Sequence, residues 1–319
     1  MRRIKAPRWE ETPPIRTYTG EAREIMIASR KFDLVYKVEL AKAWASGDHA
    51  AIRRAETDYL EMQRARLSFF EDEPLRTCPD DFIAAFRKTA GSILAKGYDF
   101  GAPPIPVEDG TGELLNGAHR LASCVAFGRS VPVAVHPRVY FGTHGGSTFR
   151  AFRAGRIAAG VENRGIRAYL AFNERARIVR AESEAGEDGE AVIERVERAT
   201  GGLVWHARPE GAGYVLVMSF PSGVPSDLPD RETTLSEAAE LYPELPDPDW
   251  RARAETESPS AFSCWLKTLK YRLTMPFRRG RKRRKAELHV LDWRCRATAY
   301  GKLADYLETN VPSKGLPET

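Results

Sequence analysis

The stretch LLNGAHRLASCVAFGRSVPV, from Leu114 to Val133, sets an amide, a glycine, an imidazole and a guanidinium within five positions of one another. It reads as strand, tight turn, short helix, glycine stop and strand, with His119 and Arg120 in the first helical turn. A helix N-terminus already carries partial positive charge, so basic side chains there are unfavourable unless an anion offsets them. The first N–H groups of such a helix lack internal partners and point at that anion. Gly117 permits a positive φ and close approach of a ligand. Asn116 can cap the helix or turn its amide to the ligand, and the arginine fork matches phosphate oxygens. Asn116, Gly117, Ala118, His119 and Arg120 are therefore the candidate phosphate-binding residues. On this logic, removing Arg120 leaves stability unchanged or slightly improved. The same residues also fit an ordinary junction in which His119 only packs and Arg120 pairs with an acid such as Asp109.

Phosphoryl transfer needs, besides a cradle, a base for the attacking hydroxyl and usually Mg²⁺ to bridge the phosphates. The acids in reach by sequence are Glu71, Asp72 and Glu73 in FFEDEP, and Glu108 and Asp109 in VEDG. The candidate catalytic residues are Glu71 and His119, and Glu71 ranks first among the carboxylates. It follows Phe69 and Phe70, so a pocket wall can bury it and raise its pKa. An acidic run beside a proline also fits a solvated loop.

The elements that must position these residues are legible from periodicity. Residues 21–47 carry apolar residues at helical spacing up to Gly47-Asp48, and a second helix follows with Ile52, Tyr59, Met62 and Leu67 on one side. Asp33 and Lys37, four apart, have the spacing of a surface ion pair. A third helix begins at Asp80 or Asp81 as cap, with Phe82, Phe86, Ile93 and Leu94 inward. Ile105–Val107 and Glu113–Leu115 read as short strands around the turn EDGTG. Residues 80–137 thus read helix, strand, strand, helix, strand, an α+β unit. The glycine-rich FGTHGGS at 141–147 marks a boundary. Beyond it come a helix within 148–172, a strand in ARIVRAE, a helix in AVIERVERATGG, strands in LVWHARP and GYVLVMSF, a Pro/Asp/Glu-rich stretch over 221–260 with one short helix, and a final helix RATAYGKLADYLET.

Composition bounds the function. The chain has 319 residues, 42% hydrophobic, with a formal net charge of +5 and a pI of about 9.0. That is enough apolar content for a packed core, and a basic balance compatible with phosphate ligands, nucleic acid or anionic membrane. The four cysteines, Cys78, Cys124, Cys264 and Cys295, form no C-x-x-C pair, which argues against structural zinc and against a disulfide framework. No signal peptide or apolar run long enough to span a bilayer is evident, and the expected location is the cytoplasm. Arg278, Arg279, Arg281, Lys282, Arg283, Arg284 and Lys285 form the strongest charge run. It reads as a solvated loop, or as a contact for an anionic polymer, nucleic acid or a membrane surface. Trp265, Leu266, Tyr271, Leu273 and Phe277 precede it with the spacing of an amphipathic helix, which can lie on a membrane or dock on the rest of the chain. In KAELHVLD, Lys285, His289 and Asp292 cluster, and as a strand the segment would put Glu287 and His289 on one face.

From Asp81 to Pro137 the chain resembles the ParB/sulfiredoxin superfamily. The resemblance rests on NGAHR opening a helix after a PIPV strand and before GRSVPV. It implies a small mixed sheet with helices that holds nucleotide phosphates, ATP or another nucleotide, with Mg²⁺. Ala118 stands where sulfiredoxins carry their reactive cysteine, which implies no sulfur repair. The His-Arg form is closest to the kinase-like branch, and the KFDLVYK and GAHRLA stretches are similar to uncharacterised bacterial proteins of surface-polysaccharide loci. The resulting expectation is an α+β protein in three segments: an N-terminal helical region (1–79), a ParB/sulfiredoxin-like nucleotide-binding unit (80–147) and a second α+β domain (148–319) carrying the basic run. Its expected function is nucleotide-dependent phosphoryl transfer to a small molecule or glycan. The alternative is a non-catalytic, nucleotide-switched DNA-binding or regulatory protein.

Overall fold

The computed structural model describes residues 9–29, 31–72, 74–98, 102–137, 157–184 and 187–309. Glu73 and the glycine-rich boundary at 141–147 lie outside them. The fold is α+β. The apolar stretch before Gly47 is two helices, α1 (Ala22–Ala28) and α2 (Asp33–Ser46). Gly47 ends α2 in the left-handed region at φ 70°. Asp48 then caps α3 (His49–Leu67), accepting from the N–H groups of Ala50 and Ala51. That short-range chemistry folds α3 back along α2.

A two-stranded ribbon, β2 (Glu71–Asp72) and β3 (Leu75–Arg76), leads to α4 (Pro79–Lys96). The N-cap of α4 is Cys78, not Asp80 or Asp81. Asp81 sits at the third helical position and reaches back to the N–H groups of Thr77 (2.8 Å) and Cys78 (3.2 Å), the reciprocal half of a capping box. Strand β4 (Ile105–Glu108), helix α5 (Ala118–Ala126) and strand β5 (Ser130–His136) follow, with β4 and β5 parallel. The strand expected at Glu113–Leu115 contracts to a single bridge between Leu114 and Val107. The other edge of this sheet is β1 (Arg16–Glu21), antiparallel to β5, and the strand order is β1-β5-β4.

After α6 (Ala159–Phe172), strand β6 (Ala176–Glu182), helix α7 (Gly189–Thr200) and strands β7 (Leu203–Glu210) and β8 (Gly213–Ser219) form an antiparallel sheet of order β6-β8-β7. The 221–260 stretch holds two helices, α8 (Arg231–Leu241) and α9 (Trp250–Glu257). The chain ends in α10 (Ala261–Thr274), a 3-10 turn at Met275–Phe277 and α11 (Gly280–Thr309). The basic run therefore occupies the approach to α11 and its first turns rather than a loop, and KAELHVLD is helical, so the strand geometry for Glu287 and His289 does not apply.

One large core runs through all three sequence segments. Trp44, Phe86, Tyr169 and Leu303 belong to the same buried cluster, and α3 is buried on nearly every side. A smaller core, with Val192, Leu216 and Met218, lies under α7. Buried polar seams tie the segments together. Arg164 of α6 forks onto Asp58 of α3 at 2.6–3.1 Å, and Glu61 of α3 accepts from the Ala158 N–H at 3.0 Å. Such charges are tolerated inside only when paired and hydrogen-bonded. No helix among the described residues is long and apolar enough to cross a membrane.

Candidate functional site

The turn at Asn116-Gly117 has the backbone that its sequence requires. Gly117 is the N-cap of α5, at φ 82° and ψ 22°. A Cβ there would come within 2.9 Å of Ile105 Cδ1, so glycine answers both the left-handed conformation and the close approach of β4. Asn116 is not the cap. Its Oδ1 accepts from the N–H of Gly117 at 2.6 Å, and no side chain caps α5. Asn116, the Gly117 cap and the first residues of α5 line a cavity of about 790 Å³, a size that suits a small organic ligand.

Asn116, Gly117, Ala118, His119, Arg120 and Glu71 all line this cavity. With them come Lys31, Lys37, Arg66, Arg76 and Lys88, contributed by the turn before α2, by α2 and α3, by the β3 strand and by α4. Among the described residues, six Lys or Arg side chains thus border the cavity against two carboxylates, Glu10 and Glu71. A concave, cation-lined space of this kind concentrates anions.

The individual roles differ from those that spacing implies. The His119 ring stacks on Phe86 at 4.7 Å and 20°, and its Nε2 lies 3.3 Å from the Tyr59 hydroxyl. Burial, with Lys37 and Arg76 adding to it, holds its pKa well below the usual histidine value. His119 is therefore neutral at pH 7 and offers a hydrogen bond rather than a charge. Arg120 does not pair with Asp109, which instead faces Arg16 at 3.9 Å. One Arg120 nitrogen, Nη1, donates to the Tyr98 hydroxyl at 2.7 Å and to the Pro103 carbonyl. Arg120 thus ties the end of α4 to the entry of β4 while bordering the cavity. The expectation that its removal leaves stability untouched is corrected by these bonds. Glu71 does reach the wall, but as a partner of Arg76 at 2.7 Å, directly across the ribbon, and not in an apolar setting.

Asp33 and Lys37 are not on the outer surface, although Lys37 lines the cavity. Both side chains are 2% exposed. Arg66 adds a second contact to the same carboxylate at 3.0 Å. Burial alone would raise the pKa of Asp33, but Lys37 and Arg66 hold it well below the carboxylate range. Lys31 is also buried, yet it makes no hydrogen bond or ion pair with any described residue. Burial pushes its pKa down to about 8, opposed by Asp33 and reinforced by Arg66. Gln63, 2% exposed, borders the cavity and its Oε1 has no hydrogen-bond partner. A buried cation without a bonded partner among the described residues and an amide oxygen without a hydrogen bond, both lining the cavity, each cost free energy that a ligand would recover.

The only sequence signal for Lys37 is a lysine inside the apolar run FDLVYKVEL. Lys31, Gln63, Arg66, Arg76 and Lys88 carry no local signal, since each is an ordinary polar residue on its own element. Cys124 is fully buried on α5, and burial pushes its thiol up to about 12, so it is no nucleophile. All four cysteines are unpaired. No cluster of three metal-ligating side chains occurs among the described residues.

No family model matches the chain, and no curated protein or solved structure is significantly similar to it. What fold and site define is an α+β protein with a cation-lined cavity at the N-terminus of a short helix.

Proposed function

We propose that this cavity binds the phosphates of a nucleotide and that the protein transfers a phosphoryl group to the hydroxyl of a small molecule or glycan, with a ParB/sulfiredoxin-like unit at its centre. The observation that carries the reading is the convergence of six cations and the uncapped N-terminus of α5 on one cavity. The donor set fits phosphate. Main-chain N–H groups from Ala118 onward meet oxygens along the helix axis, while Lys31, Arg76 and Lys88 supply charge from the walls. Neutral His119 and the Gln63 amide oxygen are suited to a hydroxyl or amino group on the nucleoside or the acceptor. Glu71 is the carboxylate in position to take the acceptor's proton, with Arg76 orienting it. Mg²⁺ would neutralise phosphate charge. With Glu10 and Glu71 the carboxylates lining the space among the described residues, these residues fit an ion carried on phosphate oxygens rather than a protein-built cage.

The test is a thermal-shift and calorimetric titration with ATP, ADP, CTP and inorganic phosphate, each with and without Mg²⁺. A ligand at about a hundred times its Kd stabilises the folded state by about 2.7 kcal/mol. One nucleotide should raise the melting temperature by that mechanism, Lys88→Ala should abolish the rise, and the same nucleotide should be consumed only when an acceptor is added. Absence of any shift with all four at millimolar concentration refutes the reading.

A further inference from the structure

We propose that the α10–α11 hairpin docks the protein on an anionic lipid membrane, with its tip set into the headgroup layer. Helix α10 turns its inner face, with buried Cys264 and Thr268, onto α11, where Tyr271 meets His289 at 4.0 Å between ring centres. Its outer face is also apolar. Phe262, Leu266 and Leu273 recur at helical spacing with Trp265 beside them, and Phe277 stands at the turn. These five are among nine large hydrophobic side chains exposed in the described residues, so more than half of the exposed set is gathered on one hairpin. Phe277 is 87% and Leu273 66% exposed. Isolated apolar residues on a surface need no explanation, but a stripe ending in an exposed tip does.

The charge around the stripe identifies its occupant. From Ala261 to Lys285 there are ten Lys or Arg residues and no Asp or Glu. Among the described residues only Arg283 of the run meets a carboxylate, Glu287 at 2.9 Å. The run also enters the first turns of α11, an end whose own dipole disfavours cations. An arrangement unfavourable in the free protein is relieved by an external anionic surface. A nucleic-acid backbone would satisfy the cations but leave Phe277 and the stripe without a role. An apolar groove on a protein would cover the stripe but not ten cations. An anionic bilayer meets both, because aromatic and aliphatic side chains enter the interface while Lys and Arg stay at the phosphate level. Each basic residue held near such a surface contributes independently of the others, and salt screens all of them.

The test is flotation of the whole chain with vesicles of phosphatidylcholine alone or mixed with phosphatidylglycerol, at rising salt. Two variants accompany the parent: Leu273→Ser with Phe277→Ser, and Arg279→Gln with Arg281→Gln and Lys282→Gln. All five side chains are exposed, so both variants should melt like the parent. If the double variant does not, the charge variant and the salt series decide alone. Binding should require phosphatidylglycerol. It should fall about a hundredfold in the charge variant and by about a hundredfold in the apolar variant. Doxyl-labelled lipids should quench Trp265 in the parent, read against Trp265→Phe. Vesicle binding unchanged by the apolar variant overturns the proposal. So does binding to duplex DNA without vesicle binding, or a self-associated species in light scattering that replaces it.

Discussion

Lys31 offers the sharpest test of an anion in the cavity, because its ammonium is buried with no bonded partner among the described residues. The drop of its pKa from 10.5 to about 8 corresponds to about 3 kcal/mol of penalty for keeping the charge in place. Its sign follows from linkage. A cation whose folded pKa lies below its unfolded value destabilises the fold fully below about pH 8, and the penalty disappears as pH rises toward 10.5. The free protein should therefore gain stability from pH 8 to pH 10. Lys31→Met removes the penalty at pH 7 and should raise the melting temperature by up to about 4 °C for a chain of this length. Phosphate binding should show the opposite trend. A bound dianion restores the ammonium, so at pH 8 binding should take up about half a proton. Calorimetry in two buffers of different ionisation enthalpy reads that uptake directly. Affinity should fall as pH rises from 8 to 9.5, where phosphate groups are already fully charged, and Lys31→Met should bind weakly at every pH. Destabilisation by Lys31→Met together with pH-independent binding would show that Lys31 is a structural cation, and the reasoning would fail.

Two further outcomes follow from the same walls. Arg120→Ala should lower stability by about 1–3 kcal/mol in a urea melt, because it strips donors from the Tyr98 hydroxyl and the Pro103 carbonyl, whereas Arg120→Lys should recover only part of the loss. Asp33→Asn should cost about 3–5 kcal/mol by leaving buried Lys37 without its counter-charge. Since the folded pKa of Asp33 is depressed, its contribution should be present above about pH 4 and lost as pH falls, and an acid titration of the parent against the variant checks both.

The sequence by itself determined the local pieces. Gly47-Asp48 dictates a left-handed stop and a new cap. Asn116-Gly117 before an amphipathic stretch dictates a strand-to-helix turn, and Ala118 excludes a thiol at that turn. The strands β6, β7 and β8 are legible because short apolar runs rich in Val, Ile and aromatic residues, set off by Gly-, Asn- and Ser-containing turns, admit little else. These features depend on φ preferences and on neighbours within a few positions. Strand β1 was not legible, because RTYTGE is exposed along most of its length and shows no apolar alternation. Only its pairing with β5 makes it a strand. The unity of the 280–309 helix was likewise hidden, since its first turns are almost entirely basic and read as solvated loop. The tertiary structure alone decided the cavity. Lys31 and Lys37, Arg66, Arg76 and Lys88 lie on four separate stretches of chain, and nothing in the sequence brings those stretches together. It also decided that His119 is neutral, that Arg120 is partly architectural and that the Asp33–Lys37 pair is buried. Charge state and exposure depend on what packs over a residue from distant parts of the chain, and a sequence window contains no record of that.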